Sequence, residues 1–261
     1  MKTATWFQVS PHFMPAFRVF WRSLLQYNSR DCFGDVILQV ESFPDDLPEA
    51  DERFHFVPLV VDRYRGWPAF EPRILACYAK LELLECCDYD QILVLDSDMV
   101  CTGSLAELFE RPEPFNGVGV ESATETEGHR RHNGGLWRAR RPVIGNPNAI
   151  QQIESFAHAG KFYDQCDQSA MVTYLEENGI ESFLLPPRYN LQIGFAEYAE
   201  TRSIYLAERH DCRILHFTGP AKPWLHEPPS MGWRERFRHL WEKAERGDKL
   251  TPADIMAVGI E

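Results

Sequence analysis

No stretch of this chain approaches the about 18 consecutive apolar residues of a membrane-spanning helix. Its N-terminus carries only Lys2 ahead of mixed aromatic and polar residues, which is not the charged and then apolar pattern of a secretory signal. Both absences point to a soluble, cytoplasmic protein. No CxxC pair occurs either. The seven cysteines, Cys32, Cys77, Cys86, Cys87, Cys101, Cys166 and Cys212, are odd in number and scattered, so they read as reduced, mostly buried small apolar side chains. The adjacent Cys86 and Cys87 read as a helix C-terminus with one thiol turned inward rather than as a metal or redox site. Positive charge is scarce as well: 27 Lys and Arg stand against 39 Asp and Glu, for a net charge of −12. That balance argues against nucleic acid or an anionic membrane as the main partner, and any anionic ligand must be met by a few placed cations. There is no internal repeat and no linker that divides the chain.

What is present suffices for one sizeable core. A globule of 261 residues, 44% hydrophobic and 13% aromatic, should bury roughly 70 to 75% of its unfolded surface. The least ordered windows are the acidic Asp45–Glu52 and the last dozen residues.

Residues 4–9 read as a strand, followed by Ser10-Pro11 and a helix over 13–27, where Phe17, Phe20, Trp21, Leu24 and Leu25 recur at helical spacing. Strands are expected over 34–40 and 54–59, with a Pro- and acid-rich loop over 43–52 between them and a turn-rich connection over 62–71 after them. Pro72 opens a helix to about Cys87, and a strand over 92–95 follows. This alternation is a doubly wound α/β pattern. Further on, a strand is expected over 117–120, a polar loop over 122–132, and then Asn133-Gly134-Gly135 leading into Leu136-Trp137. Asn146-Pro147 caps a helix to about Ala159 that Gly160 stops, and a second helix runs over 167–177 to Gly179. Strands over 183–185 and 213–217 come next, separated by the Pro186-Pro187 turn, and an amphipathic tail helix runs over 233–244.

The chain is organised around residues 89–109, YDQILVLDSDMVCTGSLAELF. Ile92, Leu93, Val94 and Leu95 form an apolar run of the buried-strand kind, and it ends abruptly in Asp96-Ser97-Asp98. If the backbone stays extended there, Asp96 and Asp98 point to one side and can share a cation. A solvated turn is the plainer reading of an isolated Asp-x-Asp. Ser104 and Glu107, however, read as a capping box that opens a short helix over 105–109, which puts the two acids where open α/β sheets bind their ligands.

The order of these motifs resembles the retaining glycosyltransferases of family 8, the glycogenin and lipopolysaccharide galactosyltransferase group, which have a GT-A fold, an α/β architecture with a Rossmann-like mixed sheet flanked by helices. The matching pieces are Lys80 in a helix, YDQILVLDSDMV, HNGGLW, DQCDQSA at 164–170, PPRYN at 186–190 and HFTGPAKPW at 216–224, in the family's order over about residues 4–224. HFTGPAKPW is the most specific of them. The resemblance implies a single glycosyltransferase domain over 1–261, with a nucleotide-binding half (1–110), a donor-sugar and acceptor half (111–230) and a helical tail (231–261). It implies an enzyme that moves glucose or galactose from a nucleotide diphosphate sugar, UDP-linked, to a glycan, lipid or protein acceptor that the sequence does not identify. A homodimer is left open.

By the same resemblance, Asp96, Asp98 and His216 bind a divalent cation, usually manganese and otherwise magnesium, that holds the diphosphate. Two hard carboxylates and one imidazole suit such an ion. Gly219 lets the backbone approach a phosphate, and Lys222 and Lys80 offer it positive charge. Ser10, Phe13, Asp96 and Ser97 belong to the donor-binding set, with Asn133, Gly134 and Asp164 around the sugar. Asp167 and Gln168 belong near the anomeric carbon, although a carboxylate at 167 also suits a plain helix cap. One departure concerns the base: the family usually has Asp or Asn three residues before a Tyr, and here those positions are Ser10 and Phe13. Two other readings were weighed. A haloacid-dehalogenase-like phosphohydrolase would use Asp-x-Asp with a close aspartate pair, and Asp211, Asp248 and Asp254 lie apart. A non-catalytic nucleotide-sugar binder would share the fold and the metal residues. Tyr64, Trp67 and Trp137 were candidates for sugar stacking or for packing.

Overall fold

The computed structural model describes residues 1–44, 47, 49–69, 72–119, 132–164, 166–194, 199–219, 222–225 and 232–259, without the side chains of 72–74, 199–201 and 232–235. The chain opens with β1 (Thr3–Val9), a 3-10 turn over Pro11–Phe13, α1 (Met14–Tyr27), β2 (Asp35–Val40) and β3 (Phe54–Pro58). A helical segment over Pro72–Glu85 leads to β4 (Gln91–Leu95), β5 (Met99–Cys101) and α2 (Ala106–Glu110). Next come β6 (Phe115–Gly119), β7 (His132–Arg140), α3 (Ala149–His158), α4 (Asp167–Glu177), β8 (Ser182–Leu185) and β9 (Leu191–Gln192). The chain continues through α5 (Ala199–Glu208), β10 (Ile214–His216), α6 (Gly232–Glu245) and α7 (Pro252–Met256).

Seven strands form the main sheet in the order β3-β2-β1-β4-β7-β6-β8. The β1–β2, β2–β3, β1–β4 and β6–β8 pairs are parallel, while β7 runs antiparallel to both β4 and β6. The sheet is therefore mixed, as the resemblance to family 8 implied. All five residues of β4 are buried, which is why QILVL reads as an unbroken apolar run. Along β1 the side chains alternate: Ala4 and Trp6 enter one core cluster, Phe7 and Val9 the other. α1 buries Phe17, Phe20, Trp21 and Leu24 against that second cluster, whereas Leu25, expected on the same stripe, is exposed. Tyr64 and Trp67 are packed into the core around Tyr78, and Trp137 is fully buried.

A second sheet, β5-β10-β9, was not anticipated as a unit. β5 and β9 have three and two residues, too short for a periodicity to register. α5 was also missed, because its sequence AETRSIYLAE lacks a strong apolar stripe. β7 runs from His132 straight through the glycine pair into Leu136 and Trp137. Two caps and one helix type differ as well. Leu105 rather than Ser104 holds the N-cap of α2, and the free N–H of Leu105 donates to Asn28 Oδ1 at 2.7 Å, a partner distant in sequence. α3 starts after Asn148, because Asn146 Oδ1 accepts from the Asn148 N–H at 3.1 Å in a local turn instead of capping the helix. Pro72–Glu85 is wound as 3-10 rather than α helix, and nothing in the structure explains that preference. The expected loop over 122–132 lies outside the described residues except for His132.

All seven cysteines are free, with Cys86 half-buried against the core and Cys87 exposed. The acidic stretch is partly anchored, since Arg30 donates to both Asp51 oxygens at 2.9 Å. The tail is ordered through Gly259, contrary to expectation for the last dozen residues. Thr251 and Asp254 form a capping box for α7, and Leu250, Ile255 and Val258 pack with Phe237, Leu240 and Trp241 against Leu191, Leu215 and Phe217 of the small sheet. Among the described residues no helix is long and apolar enough to cross a membrane. Ile255→Ala should cost about 2 to 5 kcal/mol of folding stability, the range for a fully buried large-to-small change, read from urea unfolding; a shift of a few tenths would mean that the tail is not part of the cooperative core.

Candidate active site

Two strand ends meet where the apolar runs stop. Asp98 directly precedes β5, His216 closes β10, and the antiparallel register pairs His216 with Met99. The Phe217 N–H donates to the Asp98 carbonyl at 2.9 Å, locking the two ends together. His216 Nε2 consequently lies 3.1 Å from Asp98 Oδ1 and 3.9 Å from Asp96 Oδ2, across a separation of 118 residues from Asp98. Among the described residues, Asp96, Asp98 and His216 are the one group of three whose ligand atoms could hold a metal ion, all within 4.8 Å of one another.

The tautomer of His216 follows from its neighbours. Asn190 Nδ2 donates to Asn133 Oδ1 at 2.8 Å, so Asn190 Oδ1 must be the atom that faces His216 Nδ1 at 2.7 Å. Nδ1 therefore carries a proton, and Nε2 is the ring atom that faces the carboxylates. Asn133 is itself held by Gln192 Oε1 at 3.1 Å and accepts from the Gly135 N–H at 2.8 Å. Asn190 and Gln192 are fully buried and were not proposed from the sequence; the only sign was that PPRYN ends in an amide. Asn133, expected around the sugar, is thus bonded within this network.

Lysines neutralise the acids. Lys222 donates to Asp98 Oδ2 and, at 2.7 Å, to the Phe217 carbonyl. Lys80 donates to Asp96 Oδ1 at 2.9 Å and to the Gly134 carbonyl at 3.2 Å, and it lies 3.2 Å from Asp167 Oδ2. Burial opposes the charge on Asp98, yet Lys222 and His216 hold its carboxyl well below the usual carboxylate range. Burial would depress the Lys80 ammonium, but Asp167 and Asp96 together keep it above its ordinary value. For Asp167 burial wins: its carboxyl is raised, with Lys80 opposing and Asp96 reinforcing the shift. Its Oδ2 also lacks a well-aligned hydrogen bond despite the ion pair. Asp167 does not cap α4; Cys166 holds that position and makes no side-chain cap.

The adjacent glycines explain themselves here. A Cβ on Gly134 would fall 2.7 Å from Asp167 Oδ2 and 3.3 Å from Lys80 Nζ, and one on Gly135 would fall 2.6 Å from the His216 ring. The expectation that Gly-Gly leaves room for a sugar has to share the space with these protein groups. Gly219 has φ +85°, so its turn needs glycine before any ligand is considered. Asp164 Oδ1 accepts from the Cys166 N–H at 3.1 Å, a local turn at the start of α4. Gln168 is half-buried in the first turn of that helix. Ser97 is buried beside a cavity of about 250 Å³, which is lined by Asp96, Ser97, Asp98 and Lys80 together with Ser10 and Phe13. Gln8, Glu41, Leu59, Ala76 and Cys77 complete its wall. Phe13 meets Trp224 edge to face with centroids 5.4 Å apart, and Lys222 lies 5.5 Å from the Phe13 ring centroid. Pro220 and Ala221 lie outside the described residues. Asp211, Asp248 and Asp254 are each paired elsewhere, with Arg213, Arg246 and Lys243, so no second aspartate pair reaches the Asp-x-Asp.

No family model matches the chain. In sequence it is 27% identical to the glycosyltransferase GlyF of Streptococcus pneumoniae serotype 4 over 175 residues, 64% of this chain and 40% of that protein. The chain thus spans less than half the length of that curated relative. In structure it superposes on an active-site mutant of LgtC with a TM-score of 0.72 at 15% identity, covering 98% of this chain and 100% of that one. The glycosyltransferase GlyE of Streptococcus pneumoniae gives a TM-score of 0.68 at 19% identity, over 98% of this chain and 63% of that one. The chain has the GT-A fold of the family-8 glycosyltransferases. On this GT-A framework the Asp-x-Asp lies where the central sheet hands over to the small one.

The charge state of Asp98 leads to a pH prediction. Because its folded-state carboxyl is depressed, its contribution to stability is present above the ordinary value of about 4 and is lost as pH falls through the folded value. In excess chelator, the wild-type urea midpoint should fall steeply below about pH 4, and Asp98→Asn should show a shallower fall. Parallel pH profiles would mean that the Lys222 and His216 contacts do not stabilise the ionised form.

Proposed function

We propose that the chain is a metal-dependent, retaining glycosyltransferase that moves a hexose, glucose or galactose, from a UDP-linked donor to a glycan, lipid or protein acceptor. The observation that carries this reading is the convergence of Asp96, Asp98 and His216, the two aspartates lining a cavity that Lys80, Ser10 and Phe13 also line. The LgtC galactosyltransferase has been crystallised with donor and acceptor sugar analogues, and its chain superposes over 98% of this one with a TM-score of 0.68 at 16% identity. This supports a sugar donor and a sugar-accepting partner here.

Asp96, Asp98 and His216 would hold the cation, and the donor set fits manganese or magnesium: two carboxylates and an imidazole whose Nδ1 is already committed to Asn190. Such an ion supplies charge neutralisation for a departing diphosphate. Lys222 is suited to the same task. It donates to Asp98, and a diphosphate would offer it an alternative anion. Gly219 supports a close backbone approach beside it, and Ser97 completes the donor-side wall. Asp164 and Gly134 are assigned to the sugar side and Asn133 to shaping it through the Asn190 network. Asp167, with Gln168 next to it, is assigned to the face near the anomeric carbon, where a buried carboxylate stabilises an oxocarbenium-like state either as nucleophile or through charge.

Two variants test the reading. Asp167→Asn should lower kcat by at least about a hundredfold, some 2.7 kcal/mol. Its melting temperature should hold, since burial disfavours the charge that asparagine removes. Loss of stability with turnover preserved per folded molecule would reduce Asp167 to a structural residue. Lys222→Ala should act with opposite signs: weaker nucleoside diphosphate binding by roughly 1.5 to 3 kcal/mol, and tighter binding of manganese alone because the competing ammonium has left Asp98. Calorimetry showing no change in either affinity would return Lys222 to a packing role.

A further inference from the structure

The departure at Ser10 and Phe13 leaves the base of the donor without its usual acidic partner, and the cavity wall contains a replacement. Gln8 continues the face of β1 that carries Ala4 and Trp6, two residues before Ser10 on the same side of the chain. Its Nε2 donates to the carbonyl of Ala76. An amide that donates through nitrogen must turn its oxygen away, so the orientation of Gln8 is fixed. Gln8 lines the cavity, and Oε1 accepts no hydrogen bond among the described residues. Its register partner Gln39 likewise leaves Oε1 without a hydrogen bond among the described residues, but Gln39 does not line the cavity. Gln39 is fully buried, and its Nε2 donates to the Ala79 carbonyl at 3.2 Å and to Glu82 Oε2 at 3.0 Å, pinning the same helical segment. Gln8 is only half-buried, and its carbonyl is left over from that task. The Ser10 hydroxyl is also uncommitted, since it makes no cap to the turn that follows.

We infer that Gln8 is the base-specificity residue of this site: its Oε1 accepts the imino N3–H of uracil, and the Ser10 hydroxyl donates to a neighbouring uracil carbonyl. The inference rests on the nucleotide-sugar reading above. A fixed acceptor favours a ring nitrogen that bears hydrogen. Cytosine presents a lone pair at that nitrogen, which would face the Gln8 oxygen with no proton between them.

The test is calorimetry in manganese with inorganic pyrophosphate, UDP, CDP and N3-methyl-UDP as probes. Wild type should bind pyrophosphate and should bind UDP at least about tenfold more tightly than either CDP or N3-methyl-UDP, the scale of one hydrogen bond. Gln8→Ala should bind UDP about tenfold more weakly, no longer distinguish UDP from N3-methyl-UDP, and keep its pyrophosphate affinity and melting temperature. Equal binding of the two by wild type, or discrimination undiminished in Gln8→Ala, overturns the inference. So does a parallel loss of pyrophosphate and UDP affinity in Gln8→Ala, which would make Gln8 only a pin for the segment at Ala76. Failure of wild type to bind pyrophosphate at all would overturn the nucleotide-sugar reading, and this inference with it.

Discussion

The backbone bond from Phe217 N–H to the Asp98 carbonyl is the constraint on which the rest of the site depends. It joins the residue just after β10 to the residue just before β5, so two short strands with little stability of their own are fixed end to end. Without it, a histidine and an aspartate separated by 118 residues would have no reason to lie 3.1 Å apart. The apolar filling behind them comes from the tail: Phe237, Leu240 and Trp241 of α6 cover the small sheet. The helical tail therefore lies on the causal path to the site although it contributes no polar group to it.

A second constraint is electrostatic. A chain with a net charge of −12 brings three carboxylates close together in a buried region, which is unfavourable unless the charge is answered locally. Lys80 answers Asp96 and Asp167, and Lys222 answers Asp98. The lysines thus balance the carboxylates within the protein itself.

Much of this was legible in the residues. The run from Ile92 to Leu95 and its abrupt end in acids identified the central strand, because burial on both faces requires an unbroken apolar stretch. The sequence order of HNGGLW and HFTGPAKPW identified the pieces that meet at that end. What could not be read was pairing. β5 and β9 acquire their conformation from β10 rather than from their own composition, and α5 lacks an apolar stripe. Ser104 and Glu107 satisfied a local pattern, but Asn28 supplied the hydrogen bond from another part of the chain. Asn190 and Gln192 were invisible for the same reason, since a buried amide announces itself only through its partners.

The two glycines of β7 couple strand and site more tightly than either does alone. Successive residues of a strand face opposite ways, so Gly134 and Gly135 press bare backbone against different machinery, one against the Lys80–Asp167 pair and the other against the imidazole of His216. A designer who wished to retune this centre could not enlarge either position separately: room at one requires shrinking a carboxylate or a lysine, and room at the other requires moving the imidazole. Reprogramming it therefore means rebuilding β7 and both facing layers in one step.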